Sequence, residues 1–250
     1  MKRYTQRCGA SGEGVTLDDR VIAMDGPAGS GKSTAAQRLA DGLGYTHLNT
    51  GAMYRAVAFL ATEGGFDIYD PAKAHDIAEI ARKMKFDYQI AGDQQRFIVN
   101  GKDHTDELFR ATLTAQLKPI VNNLEVRESL VEKMRDAVRR FLASGMRGVV
   151  MEGRDIGTVV FPNAPLKFYI HASLDARTRR RAAELTARNE QVDFEGLRKQ
   201  IQYRDETDQA REVGGLKQAS DAIDIDTTDM DENQTVQRLL KEVRDRLKLQ

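Results

Sequence analysis

One short stretch near the start of the chain restricts its fold more than any other feature. Gly26-Pro27-Ala28-Gly29-Ser30-Gly31-Lys32-Ser33 fits the pattern G-x-x-x-x-G-K-[ST]. It follows the apolar run Val21-Ile22-Ala23-Met24, which ends at Asp25, and it precedes a helix-favouring stretch from Lys32 to Leu43 with Gly44 behind it. A strand, a glycine-rich loop and a helix in that order give the pattern its meaning. The glycines let backbone N–H groups turn inward around phosphate oxygens, and the positive end of the following helix adds a fixed field. Gly26, Pro27, Ala28, Gly29, Ser30, Gly31, Lys32, Ser33 and Thr34 are therefore the expected ATP-binding residues. Lys32 should reach the β- and γ-phosphates, and the Ser33 hydroxyl should ligate Mg²⁺. The bland alternative is a glycine-rich turn carrying an exposed lysine.

Four more short apolar runs read as buried strands: Tyr45 to Leu48, Gly148 to Met151, Leu166 to Ile170 and Ala222 to Ile225. Helical patterns separate them. Such alternation predicts a three-layer α/β fold, a parallel sheet with helices on both faces. Between about Gly64 and Pro119 the pattern changes to a helix (Pro71 to Met84), then Phe86 to Ile90 and Arg96 to Val99 flanking Gly92-Asp93, then Asn100-Gly101. That favours a hairpin or small meander, so residues 64–119 are expected to form a small inserted α+β subdomain. A long amphipathic helix, about Leu124 to Ala143, returns the chain to a core expected to comprise residues 20–63 and 120–250.

Charge is balanced, with 38 Lys+Arg against 38 Asp+Glu, so no net field favours long nucleic acid or an acidic membrane. The single cysteine, Cys8, has no partner in the chain, which suits a reducing compartment. No apolar run has the length of a signal peptide core or a membrane span. A cytoplasmic monomer acting on small molecules is expected, with residues 1–19 as a flexible tail.

A phosphate loop names the donor and leaves the acceptor open. Met151-Glu152-Gly153-Arg154-Asp155-Ile156-Gly157-Thr158 follows the third strand, so it should open at the carboxyl edge of the sheet beside the loop. The run Glu152 to Pro162, Thr50-Gly51-Ala52-Met53-Tyr54-Arg55, and Tyr203-Arg204-Asp205 followed by Asp208 and Arg211 together resemble the signatures of the cytidylate kinase family, in its order and spacing. The resemblance spans about Arg20 to Leu247. It implies a P-loop kinase that phosphorylates CMP and dCMP with ATP and Mg²⁺, and it makes the inserted segment a monophosphate-binding subdomain.

Carried over by position, the resemblance implies that Arg127 and Asp155 read the cytosine and that Arg204 and Asp208 read the ribose. Arg55, Arg154 and Arg211 would hold the phosphate, with Thr50 and Tyr54 lining the site. The chemistry suits these roles: guanidinium forks hold phosphate oxygens, carboxylates accept from sugar hydroxyls, and an Arg-Asp pair complements cytosine. Bland readings stand beside them. Arg127 lies among Glu125, Glu128 and Arg135 on a charged helix, Arg204 and Asp208 have the spacing of a helix-face pair, and Tyr54 sits in an apolar helix. The chain departs from the family pattern at Lys118, where a small hydroxyl residue is usual, and at Gly215-Leu216, where Pro-Leu is usual. The first bears on base selection, and the second predicts a looser loop behind the phosphate arginines.

Ser173 to Arg188 reads as a helical lid, about residues 173–190, on which Arg177, Arg180 and Arg181 share a face. The resemblance implies that these arginines neutralise charge on the transferring phosphoryl group, with Lys32 and Arg154 completing the catalytic set. Glu152, at a strand end, suits either a Mg²⁺-bound water or a structural role. A regulatory GTPase is disfavoured. Asp193-Phe194-Glu195-Gly196 fits Asp-x-x-Gly but falls in a helical region, and no Asn-Lys-x-Asp follows. A kinase of another nucleoside monophosphate or small metabolite is the alternative.

Overall fold

The structure, a computed structural model, describes residues 16–91, 94–187 and 189–247. Cys8, most of the expected tail, Gly92-Asp93 and Arg188 lie outside the described residues. Along the chain run β1 (Val21–Asp25), α1 (Lys32–Leu43), β2 (Thr46–Asn49), α2 (Gly51–Glu63), α3 (Ala74–Lys83), β3 (Phe86–Ala91), β4 (Gln94–Val99) and β5 (Lys102–Asp103). Three short helices follow, α4 (Thr105–Leu108), α5 (Ala111–Ala115) and α6 (Leu117–Asn122), and then α7 (Leu124–Ala143). The remainder is β6 (Val149–Gly153), β7 (Leu166–His171), α8 (Leu174–Ala187), α9 (Phe194–Gln209), β8 (Ile223–Asp226) and α10 (Glu232–Leu247). Two compact units result, one from residues up to 47 together with 142–250, the other from 48–141.

The first unit is built on a five-stranded sheet of order β2-β6-β1-β7-β8, with β1 parallel to both β6 and β7, and β7 parallel to β8. This is the expected three-layer P-loop kinase sheet. All five residues of β1 are buried, as a central parallel strand covered on both faces must be. Ile22, Met24, Val150, Phe168, Ile170 and Ile225 point to one face and meet Ala35, Ala36, Leu39 and Ala40 of α1 and Leu239 and Val243 of α10. The spacing of the α1 residues makes one stripe, and its alanines permit close approach to the sheet. On the opposite face the π-helical turn Ile156–Val160 packs against β1. The topology leaves the phosphate loop and the segment after β6 at the carboxyl ends of adjacent central strands.

The second unit contains an antiparallel sheet of order β3-β4-β5 whose Phe86, Tyr88 and Phe97 rings pack on one another. Of the hairpin or small meander expected here, the structure forms a three-stranded meander. The expected helix from Pro71 opens as a 3-10 turn, Pro71–Lys73, with the Asp70 side chain accepting from the Ala72 N–H, before α3 begins. In α7, Val126, Leu130, Met134, Ala137 and Val138 form the buried stripe of a surface helix.

Candidate active site

The loop between β1 and α1 is fixed by backbone geometry. Gly31 caps α1 at φ 80°, in the left-handed region that other residues enter at a cost. At Gly26 a Cβ would lie 1.9 Å from the Ile170 carbonyl oxygen, so no side chain fits. Lys32 is buried, and its ammonium donates to the Pro27 carbonyl at 3.0 Å, inside the loop it closes. Burial pushes the Lys32 amine down to about 7, and the positive charge of Arg154 lowers it further against the opposing pull of Glu152.

Ser33 donates to Glu152 Oε2 at 2.7 Å. Glu152 is buried, and burial alone would raise its carboxyl, but His47, Lys32 and Ser33 outweigh that and lower it. The His47 ring lies 3.2 Å from Glu152 Oε1 through Nε2 and 3.0 Å from Gln37 Oε1 through Nδ1. His47 and Gln37 escaped the sequence reading: a strand histidine and a helix glutamine carry no motif, and only the fold joins them to Glu152. A hydroxyl beside a carboxylate offers the hard oxygen donors that Mg²⁺ accepts alongside phosphates and waters.

Arg154 and Arg211 converge on one carboxylate. Arg154 Nε lies 2.9 Å from Asp208 Oδ2, and the Arg211 guanidinium lies 2.6 Å from Oδ1. Burial opposes ionisation of Asp208, but Arg154, Arg211 and Arg204 hold its carboxyl below the usual range. Arg204 makes no ion pair with Asp208, so the helix-face pair at that spacing does not form. Burial and then Arg154 lower the Arg204 guanidinium. Asp155, between Arg154 and the π-helical turn, is buried. The loop at Gly215 is tighter than expected. Leu216 N donates to the Asp208 carbonyl at 2.8 Å, and a Cβ on Gly215 would stand 2.4 Å from the Arg211 carbonyl oxygen.

The three arginines of α8 do not act as one face. Arg177 is buried, donates to the carbonyls of Ala172 (2.9 Å) and Ala28 (3.2 Å), and pairs with Asp205 at 2.6 Å. Arg180 donates to the Thr227 hydroxyl at 3.1 Å and to the Thr227 and Met230 carbonyls. Arg181 is half exposed and pairs with Glu184 at 2.7 Å. Arg177 and Arg180 lie against the phosphate loop, since Cβ atoms on Gly29 and Gly31 would stand 3.4 Å from Arg177 Cβ and 3.9 Å from the Arg180 guanidinium. Thr34 is exposed one residue beyond Ser33.

In the second unit Thr50, Tyr54 and Arg127 are all buried. The Arg127 guanidinium lies 5.8 Å over the Tyr54 ring and donates to the Val121 carbonyl at 3.3 Å, so this arginine is buried rather than on the surface of α7. Arg55 donates to the Gly51 carbonyl at 3.2 Å and stacks 5.0 Å over Phe109. Lys118 is exposed on α6.

A glycine-shaped phosphate loop closed by a buried lysine, with paired arginines beyond the adjacent strand, is the arrangement of a phosphotransferase of the P-loop kinase class. The cytidylate kinase family model matches residues 22–245. Cytidylate kinases of Geobacillus kaustophilus (39% identical over 90% of this chain and 97% of that protein), Caldanaerobacter subterraneus (40%, 89% and 94%) and Salinibacter ruber (40%, 92% and 97%) are similar along nearly their whole lengths. The chain belongs to the cytidylate kinase family.

Proposed function

We propose that this chain transfers the γ-phosphoryl group of ATP directly to CMP and dCMP, giving ADP and CDP or dCDP. The observation that carries the reading is the adjacency of β1 and β6: the phosphate loop with Lys32 follows one, and Arg154, joined to Arg211 through Asp208, follows the other. The family membership supplies the base.

An oxygen of the acceptor phosphate attacks the γ-phosphorus in line, the bond to the β,γ-bridging oxygen breaks, and its electron pair leaves on ADP. That oxygen is already anionic, so no protein base is required, and the protein acts by alignment and charge neutralisation. The loop N–H groups and Lys32 hold the donor, while Arg154 and Arg211, set by Asp208, hold the acceptor phosphate with Arg55. Ser33 and Glu152 would hold Mg²⁺, which when bound neutralises charge on the phosphate oxygens. The family resemblance assigns the base to Arg127 and Asp155, the lining to Thr50 and Tyr54, and the ribose to Arg204 and Asp208. Each Asp208 oxygen keeps a lone pair beyond the one an arginine uses, so it can accept from a ribose hydroxyl without releasing either cation. Arg177 and Arg180 brace the loop, and Arg181, held among the described residues only by an exposed Glu184, moves to the phosphoryl group at least cost.

In this reading residues 64–119 are the monophosphate-binding insertion and residues 173–190 the lid. We take the chain to be a cytoplasmic monomer acting on free nucleotides. Among the described residues no helix is long and apolar enough to cross a membrane. The test is initial rates with ATP-Mg²⁺ and CMP, dCMP, UMP, AMP or shikimate. CMP and dCMP should be turned over best, with at least about a tenfold preference in kcat/KM for CMP over UMP. Better turnover of any of the other acceptors would overturn the assignment.

A further inference from the structure

Asp25 is buried at the end of β1, one residue before the phosphate loop, yet nothing in the proposed reaction uses it. Its two carboxylate oxygens accept from two successive backbone N–H groups, Oδ1 from Ile156 and Oδ2 from Gly157, each at 2.8 Å. It has no ion pair among the described residues. These two N–H groups open the π-helical turn Ile156–Val160, whose Val159 and Val160 N–H groups converge on the Asp155 carbonyl at 2.8 and 3.2 Å. The carboxylate therefore grips the chain just after Arg154-Asp155 and ties it to the strand that carries the phosphate loop. Gly157 lies close against the carboxylate and β7, since a Cβ there would stand 3.0 Å from Lys167 Cδ and 3.4 Å from Asp25 Oδ2.

Burial pushes the Asp25 carboxyl up to about 6, over the opposing effect of the two N–H groups. The other charged and titratable groups around it are Asp155 and Arg154 on the gripped segment, and Tyr169 and Lys167 on β7, Lys167 being committed to Asp221. A folded-state value above the ordinary one means that the native state holds this proton more tightly than the unfolded chain. The contribution favours the fold below about pH 4 and is lost as pH rises through about 6. At neutral pH the ionised group is thus a liability to stability, and a space-filling role does not explain it. Two converging N–H donors do, because an ionised carboxylate presents a separate acceptor oxygen to each, whereas an amide would turn an NH₂ toward one of them.

We propose that Asp25 is a positioning residue for the acceptor nucleotide: by holding the Ile156 and Gly157 N–H groups it sets Arg154 and Asp155 where they meet CMP, and it leaves ATP binding to the phosphate loop. The inference rests on the proposed reaction, and the experiment separates the two. A parent protein inactive on CMP refutes the reaction itself, whereas the inference is judged on variants of an active parent. In Asp25→Asn one oxygen becomes an NH₂ that faces an N–H donor, so one of the two bonds is lost. The expected result is a rise of about tenfold in KM for CMP, with KM for ATP changed less than about twofold and Tm within about 3 °C of the parent. The parent-to-variant ratio of kcat/KM for CMP should also shrink toward acid pH, where the parental carboxyl takes up its proton; substrate ionisation cancels in that ratio. Should Asp25→Asn fail to fold, Asp25→Glu keeps the carboxylate but displaces its oxygens by one methylene, and it should show the same split between CMP and ATP. Equal losses for both nucleotides, or an unchanged KM for CMP, would overturn the inference.

Discussion

The phosphate loop and helix α8 both present cations suited to a polyphosphate, but they are organised on opposite principles. In the loop the backbone comes first: Gly31 in the left-handed region and Gly26 against the Ile170 carbonyl fix the cradle before any ligand arrives. On α8 the side chains come first. Arg177 and Arg180 are spent on acceptors far away in sequence, Asp205, Ala28, Thr227 and Met230, and Arg181 rests on a neighbour one turn on. The loop backbone can bind without rearrangement, with only Lys32 turning from the Pro27 carbonyl, while α8 must exchange partners to reach a phosphate. A preformed cradle suits donor binding, and exchangeable cations suit a step that occurs only once both substrates are in place.

The comparison breaks most directly at Lys32. Lys32→Ala removes a ligand-facing cation without opening a core, so kcat should fall about a thousandfold while the far-ultraviolet circular dichroism spectrum and Tm stay near the parental values. A folded variant with unchanged turnover would remove the loop from the mechanism. Arg177→Met should do the reverse, since it strips the partner from Asp205, whose carboxyl burial already raises despite Arg177. Denaturant unfolding should show a loss of about 3 kcal/mol, and adding Asp205→Asn should recover most of it. If Arg177→Met were as stable as the parent and slow only in transfer, α8 would be the exposed lid face that helical spacing suggests.

Asp155→Asn probes the segment after β6. Its amide can donate to uracil O4 where the carboxylate repels it, so the CMP-to-UMP ratio of kcat/KM should fall by roughly tenfold or more. A proportional loss for both substrates would remove Asp155 from base reading.

What could be read in the sequence divides along the same line. The five strands, α1 from Lys32 to Leu43 and α7 from Leu124 to Ala143 were legible because periodicity, glycines and apolar runs are local signals. The phosphate loop was legible because its function is a backbone shape with a sequence signature. The partners of Arg177 and Arg180 were not, because helical spacing reports which residues share a face and not which distant acceptors that face meets. His47 and Asp25 were missed for a related reason: β2 and β1 bring them to Glu152 and to the Ile156 and Gly157 N–H groups only once the strand order is known.

The smallest expected effect sharpens the comparison from inside the loop, where the shape is preset but the charge is not. With its amine lowered to about 7, Lys32 is largely neutral near pH 8 in the free protein. The phosphates of ATP favour the ammonium form and should raise it again, so ATP binding near pH 8 should take up close to one proton, and less as the pH falls toward 6 and Lys32 arrives already charged. Isothermal titration calorimetry in buffers of different ionisation enthalpy measures that uptake directly. At a pKa of about 7, recharging the lysine costs about 1.4 kcal/mol per pH unit above that value, so ATP affinity should weaken about tenfold from pH 8 to pH 9. Heats independent of the buffer near pH 8 would mean that Lys32 stays charged in the empty loop, and that charge and shape are preset together.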